Sequence, residues 1–553
     1  MQNLKGQSID KIKKLYLEKN YSKLEKLIES LKSFDKLPTD ILMIYAVSKA
    51  MNPKSKTNDY TKAAFYFEKI YNSNKSNLEP LYNFIIVSLK AKKFINLKKY
   101  LDQVYQDNKS DPKILEGLAK VNYFLSNMSN VTFFYKELIK VRPDFLDGWI
   151  KFLGTINYHQ NEGQEKYLEY CKEFDQLPTK KNILKISKLK NKEKINLGFF
   201  SPDFKNHPVS YFLKDILKKI NKDKFNAIAY SNLSNSETDT FSEELKNIFD
   251  TWIDISSMVD EEVIKIIIKK KTDILINLAG FTLGNRINIF KSRSAPIQLS
   301  WIGYCNSLGI ENMDYLIADK YLIKNEEEKL YTEKIIYMPK IWNALSKPKK
   351  LPNINNKIFD KASPFVFGSL NNFQKISDNT IKVWSRILNK SNSRLILKSS
   401  NNYSEDLKNN LLEKFSRENV NIKNILVLDT IFNQNDHLEC YNRFHLTLDT
   451  FPYPGVTTSF ESLLMGKPVL TMKGNNFNSR CGESINRNLN LNDFIAKDED
   501  EYVDKAVNFT KRMSELQKLN ETLQERTLAS PLFDTDDFAK NLNLILLKIY
   551  KDH

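Results

Sequence analysis

The sequence predicts an all-α helical-repeat region followed by two α/β domains in tandem. Three observations predict it. Through roughly the first 180 residues, apolar positions recur at helical spacing with no convincing strand. From Ile195 onward, short apolar runs alternate with amphipathic helical segments, as in a parallel sheet with crossover helices. The same alternation then resumes beyond a polar, proline-bearing stretch, "KIWNALSKPKKLPNINNKIFDKASP". A chain of 553 residues is long for one core. The expected domains are residues 1–180, 194–345 and 362–553.

The front region reads as successive helix pairs. "SNLEPLYNFIIVSLKAKKFINLKKYLDQVYQ", "SDPKILEGLAKVNYFLSNMSNVTFFYKELIK" and "PDFLDGWIKFLGTINYHQ" follow one another. Asn77 to Asp111 is 34 residues and Asp111 to Asp144 is 33, the period of a tetratricopeptide pair. An earlier unit, "TDILMIYAVSKAM…TKAAFYFEKIY", fits with an insertion at "NPKSKTN". Small residues precede aromatics at matching places: Ala64 before Phe67, Gly117 before Tyr123, Gly154 before Tyr158. An irregular helical bundle is the alternative. Either arrangement offers exposed faces that suit a protein partner better than chemistry.

Composition removes several classes. No window approaches the ~18 apolar residues of a membrane span, and the start lacks the apolar core of a secretory signal. The four cysteines are far apart with no CxxC, so neither a zinc site nor a disulfide framework is indicated. A cytoplasmic protein is expected. The net charge of +17 comes from lysines spread along the chain and interleaved with acids. No Arg/aromatic cluster or nucleic-acid motif accompanies it, so no nucleic-acid partner is expected.

In the first α/β domain the strands are "KINLGFFS", "FNAIAYSN", "DTWIDIS", "TDILINLAG" and "APIQLSWIGY". In the second they are "FVFGSLN", "SRLILKSS", "ILVLDTI", "LTLDTF" and "PVLTMKG". Ligands of such sheets lie beyond the carboxyl ends of the strands, and that rule selects the residues to interrogate. His207 follows the first strand, with Pro208 suited to open a helix. There it could accept a proton or donate a hydrogen bond, or simply cap the helix. "NLAGFTLGNR" follows another strand, and its glycines would let backbone approach a ligand. Lys375 follows the first strand of the second domain, ahead of a helix capped by Ser377 or Asp378. It is either a phosphate clamp or a solvated lysine.

The turn Tyr453-Pro454-Gly455 ends the strand "LTLDTF", and Thr457 and Thr458 begin the helix "TTSFESLLMG". A helix N-terminus has unpaired N–H groups and the positive end of its dipole, which favour phosphate oxygens. The two hydroxyls add donors, and Glu461, one turn on, could hold a ribose hydroxyl pair. An ordinary N-cap with a first-turn glutamate is the simpler alternative. The combination of glycine turn, paired threonines and acid favours a nucleotide-diphosphate site.

In these residues the chain resembles the glycosyltransferase family that includes nucleocytoplasmic protein O-GlcNAc transferase and its bacterial homologues. "SPDFKNHPVSYF", "APIQLSWIGY", "MDYLIAD", "TEKIIYMP", "GVTTSFESLLMGKPVLTM" and "SPLF" occur in that family's order, from Lys194 onward. The family also places tetratricopeptide repeats before its catalytic part. The resemblance implies a GT-B fold, two Rossmann-like domains facing a cleft, with UDP-sugar held mainly by the second. It implies inverting transfer of a hexose, most readily GlcNAc, to protein Ser/Thr hydroxyls, with no metal and no cofactor. His207 matches the family's active-site histidine, and Lys375 the lysine that neutralises the diphosphate. Asn372 stands near the same phosphates. Gly455 and Val456 lead into the phosphate-binding pair Thr457 and Thr458, and Glu461 stands at the ribose. His437 matches a residue packed against uracil, with backbone near Phe432 and Gln434 reading its edge. The helical repeats would bind the acceptor protein.

The chain departs from the family at several points. Val456 replaces a histidine, at a position that contributes chiefly backbone. Asn277 and Phe281, with Thr282 beside them, stand on the acceptor side where bacterial relatives often carry Asp and His. Cys305 stands where proline is usual. Two rivals follow: N-glucosylation of asparagine from UDP-glucose, and a protein-binding scaffold with a vestigial transferase part.

Overall fold

A computed structural model describes residues 6–31, 37–159, 162–178, 192–348, 350–359, 363–399, 404–431 and 433–553. The chain packs as two compact units. The first takes residues 1–143 with 402–413, the second residues 144–401 with 414–553.

The first unit is a run of antiparallel helix pairs: Gly6–Leu17 with Tyr21–Glu29, Thr39–Met51 with Thr57–Ser73, Glu79–Lys90 with Phe94–Tyr105, and Pro112–Phe124 with Met128–Val141. Local sequence sets the boundaries. The Asp111 side chain accepts from the Lys113 and Ile114 amides, both at 2.9 Å, and Pro112 takes the first helical position, where its missing N–H costs nothing. Gly117 permits close packing between pairs, because a Cβ there would come within 2.9 Å of Ile85. In the pair Thr39–Met51 with Thr57–Ser73, Ala63 is fully buried.

The second unit opens with the helices Leu146–Ile156 and Gly163–Gln176. These two helices, which lie within the expected helical region of residues 1–180, pack in one unit with the sheets. The reason is packing that periodicity does not reveal. Gly154 lies so close to the loop after the fourth strand that a Cβ would stand 2.9 Å from the Phe281 carbonyl. Asn157 donates to the Tyr304 hydroxyl at 2.8 Å, and Gln164 to Asn306 at 2.7 Å.

Two parallel sheets follow. The first contains β1 (Ile195–Ser201), β2 (Phe225–Ser231), β3 (Thr251–Asp254), β4 (Ile274–Asn277), β5 (Ile297–Ser300), β6 (Tyr315–Asp319) and β7 (Lys334–Met338), in the order β3-β2-β1-β4-β5-β6-β7. The second contains β8 (Phe365–Ser369), β9 (Ser393–Lys398), β10 (Ile425–Leu428), β11 (Leu446–Leu448), β12 (Val469–Met472) and β13 (Ile495–Ala496), in the order β10-β9-β8-β11-β12-β13. The direction of winding reverses between β1 and β4 in one sheet and between β8 and β11 in the other. Crevices open at such switch points, outside the carboxyl ends of the strands.

The last helix, Thr535–Asp552, lies within the expected C-terminal domain of residues 362–553 but packs on the first sheet. Its apolar stripe, Phe538, Leu542 and Leu546, is buried in the core of the first sheet, with Phe538 stacked on Trp301 at 5.7 Å. Further contacts tie the two sheets' layers together. Arg480, 4% exposed, grips both carboxylate oxygens of Glu327 and donates to the Leu322 carbonyl. The Ser484 hydroxyl donates to Asp319 at 2.6 Å.

Candidate functional site

The loop after β1 leads to the helix Pro208–Lys218, and His207 is its N-cap. The ring Nδ1 accepts the Val209 N–H at 3.3 Å. In a neutral imidazole this puts the proton on Nε2, so the ring presents an N–H donor rather than a lone pair on that side. Asp203 lies 3.8 Å from Nδ1, too far for a hydrogen bond. Burial holds the His207 pKa below 6.5, outweighing the opposing pull of Asp203. That shift favours the neutral ring.

The loop after β4 is built differently from its sequence-based expectation. Asn277 is buried, its Oδ1 accepting from the Ala279 and Gly280 amides at 2.9 and 3.0 Å. Phe281 is 4% exposed and packed edge-on between Phe174 and Tyr304, at 5.6 and 5.5 Å. Thr282 spends its hydroxyl on the Ala279 carbonyl at 2.7 Å. The Phe281 ring fills the seam against the helix Gly163–Gln176. A phenylalanine gains more from that burial than from a wet cleft.

Beyond β8, the Lys375 ammonium donates to the Pro454 carbonyl at 2.9 Å and lies 4.1 Å from the centre of the Tyr453 ring. No carboxylate among the described residues is within ion-pair distance of it. Desolvation lowers its pKa from 10.5, with the nearby Asp449 charge opposing. A half-buried ammonium without a carboxylate partner can supply point charge to an anion. Asn372 uses its side-chain oxygen locally, accepting the Gln374 N–H at 3.3 Å. Ser377, not Asp378, caps the next helix through the Thr380 N–H at 3.0 Å.

The turn after β11 is held from beneath by two residues that sequence inspection passed over. Asp449 is fully buried and accepts from Gly455 N–H at 2.7 Å, Thr450 N–H at 3.0 Å and the Thr471 hydroxyl at 2.9 Å. Burial lifts its pKa to about 6 despite these donors. Asn371 donates to Asp449 at 3.2 Å and accepts the Thr458 hydroxyl at 2.6 Å. Gly455 is required here, because a Cβ would fall 2.4 Å from the Thr458 hydroxyl oxygen. An acid at a strand's carboxyl end and an adjacent asparagine pair were the available signals.

Helix Thr457–Leu464 then begins. Its first amides, those of Thr457 and Thr458, have no intrahelical acceptor and none among the other described residues. The Thr457 hydroxyl is likewise unpartnered among the described residues. Val456 precedes the helix as its N-cap without a side-chain bond. One turn on, Glu461 Oε2 lies 3.0 Å from His437 Nε2 and accepts from the Tyr441 hydroxyl at 3.3 Å. His437 belongs to the short helix Gln434–Glu439, which Gln434 opens. Phe432 lies outside the described residues.

The two halves of the site face each other. Phe212, on the helix that His207 caps, meets Phe460, on the threonine helix, edge to face at 5.2 Å. The helix capped by His207 thus packs directly on the helix that begins with the threonine pair and carries Glu461. A neutral imidazole, an ammonium, free amides and a carboxylate are groups that suit a polyanion bearing a sugar hydroxyl pair. Among the described residues no cluster of three or more metal-ligating side chains forms, and no helix is long and apolar enough to cross a membrane.

Comparison with known proteins agrees with this architecture. The profile of Glycosyl transferase family 41 matches residues 164–364 and 360–542. The probable UDP-N-acetylglucosamine–peptide N-acetylglucosaminyltransferase SPINDLY of Solanum lycopersicum is 28% identical over 427 residues, covering 75% of this chain and 45% of that protein. The protein of the same name from Eustoma exaltatum subsp. russellianum is 32% identical over 351 residues, 63% of this chain and 38% of its own length. The chain thus spans less than half the length of these curated relatives. Among solved structures, a lysine-to-methionine mutant of the Thermobaculum terrenum O-GlcNAc transferase superposes with a TM-score of 0.78 at 21% identity, over 94% of this chain and 99% of that one.

Proposed function

The chain belongs to glycosyl transferase family 41, and on that premise we propose that it transfers a hexose, GlcNAc foremost, from a UDP-sugar to Ser or Thr hydroxyls of a protein acceptor. The observation that carries the proposal is the Lys375 ammonium, half-buried without a carboxylate partner, together with the open amides of the helix Thr457–Leu464. In the proposed reaction the acceptor oxygen attacks the anomeric carbon on the face opposite the UDP. The bond from that carbon to the diphosphate oxygen breaks, configuration inverts, and the proton lost by the acceptor hydroxyl passes to the leaving diphosphate. Lys375, the Thr457 and Thr458 amides and the Thr457 hydroxyl stabilise charge developing on the leaving diphosphate, where donors fixed in advance act most strongly. Glu461 would hold the ribose and His437 the uracil. His207, an N–H donor in its observed hydrogen bonding, would orient the sugar or the acceptor rather than take the proton.

The positive charge in this scheme is supplied by protein groups, so donor binding is proposed to need no metal. The helix pairs of residues 6–143 are proposed to select the acceptor.

The test is calorimetric titration of UDP, UDP-GlcNAc, UDP-glucose and GDP into the protein in chelator, beside Lys375→Ala. Micromolar binding of a uridine nucleotide, weakened at least ~100-fold by the substitution, is expected. Equal binding to both proteins would remove Lys375 from the site. Preference for GDP would overturn the donor class. The linkage on a modified acceptor peptide then separates Ser/Thr transfer from transfer to asparagine.

A further inference from the structure

We infer that Lys398 is a positioning residue for the nucleoside end of this site: its ammonium fixes the His437 ring in one tautomer and thereby turns a single free oxygen of Glu461 toward the ligand. The inference rests on the nucleotide-sugar proposal above and adds to it a residue that neither the sequence motifs nor the family resemblance singled out.

Lys398 is the last residue of β9, at the carboxyl end of a strand next to β8, and is 1% exposed. No carboxylate among the described residues lies within ion-pair distance of its Nζ. Burying an ammonium this way is unfavourable and lowers its pKa. Its hydrogen-bond partner among the described residues is His437 Nδ1, at 2.9 Å.

The chemistry of the two ends agrees. An ammonium has only donors, so Nδ1 must offer its lone pair. The ring is then neutral and carries its proton on Nε2, which stands 3.0 Å from Glu461 Oε2. That contact itself demands a proton, because two lone pairs at this distance repel. The Tyr441 hydroxyl reaches the same Oε2 at 3.3 Å. Both protein donors therefore converge on one carboxylate oxygen. Oε1 has no partner among the described residues and remains for a ligand hydroxyl pair. The neutral ring keeps an uncharged face for a nucleobase. Loss of Lys398 would free the ring to exchange tautomers, and Nδ1–H would point the wrong lone pair at Glu461.

The full chain, labelled with ring-15N histidine, decides this by long-range 1H–15N correlation. It has five histidines, and the signals missing from His437→Gln identify residue 437. The native protein should show the Nε2–H form at His437. Lys398→Met should give a mixture of tautomers and weaken UDP binding about tenfold, the loss of one charge-assisted hydrogen bond. Lys398→Arg should restore the native form and most of the affinity. If Lys398→Met does not fold, Lys398→Gln, whose amide still donates, should keep the native tautomer. An Nδ1–H or protonated ring in the native protein overturns the inference, as does an unchanged tautomer in Lys398→Met. A changed tautomer with unchanged UDP affinity overturns the positioning role. Failure of the native protein to bind any nucleotide refutes the function and with it that role, while the tautomer measurement stands separately.

Discussion

Phe212 and Phe460 meet edge to face at 5.2 Å, and through this pair the helix capped by His207 rests on the helix that begins at Thr457. Both rings are buried, at 2% and 0% exposure. The separation between the imidazole of one sheet's switch point and the phosphate-type donors of the other is therefore set by core packing, not by flexible loops. Phe460→Ala should cost about 3–5 kcal/mol in denaturant unfolding, because the cavity lies where two layers meet. Donor affinity should fall as well, since the threonine helix loses its backstop. Unchanged stability with intact affinity would show that this contact does not define the cleft.

Gly455 tests the turn itself. A methyl group there would collide with the Thr458 hydroxyl at 2.4 Å and with Asn371 Oδ1 at 2.8 Å. Gly455→Ala should dislodge that hydroxyl from Asn371 and weaken UDP binding by about ten- to a hundredfold, the equivalent of one or two hydrogen bonds. Thr458→Val should reproduce much of the loss. Calorimetry on both variants checks it, and an Ala variant that binds as the parent does would sink the structural role given to Gly455.

The pH dependence of donor binding follows from Lys375. Desolvation sets its folded pKa below 10.5. The ammonium that binds a diphosphate is present below that lowered value, so affinity should fall as pH rises through it, before a free lysine would titrate. Stability of the unliganded protein runs the other way. Between the lowered pKa and 10.5 the unfolded chain binds more protons at this group, so its contribution to stability rises with pH. Lys375→Met should abolish both effects when affinity and unfolding are compared with the parent across alkaline pH. Parallel slopes for parent and variant would contradict the assignment.

Arg480 and Glu327 provide a purely structural prediction. Arg480 is buried and also serves the Gly474 and Leu322 carbonyls, so Arg480→Ala leaves several acceptors and a carboxylate unsatisfied. A loss of about 3–5 kcal/mol is expected. Replacing both partners together should cost less than the sum of the single changes, and a double-mutant cycle measures the difference. Strict additivity would mean that the pair is not coupled.

Much of the molecule was determined locally and is legible in its sequence. The 34- and 33-residue spacings, the alternation of strand and helix, and the residues at the strands' carboxyl ends are properties of short segments. Each depends on periodicity, a cap or a turn, which neighbouring residues specify. Hence His207, Lys375, the threonine pair and Glu461 could be selected without coordinates. Tertiary structure alone decided what those residues rest on. Asn371 and Asp449 hold the turn through contacts spanning 78 residues or more from Asn371. Phe281 packs in a seam with the helix Gly163–Gln176, and the last helix returns to the first sheet. Lys398 found His437 39 residues away. Burial, strand order and the partner of a buried charge are set by which distant segments meet, and side-chain spacing along one chain carries no record of that meeting.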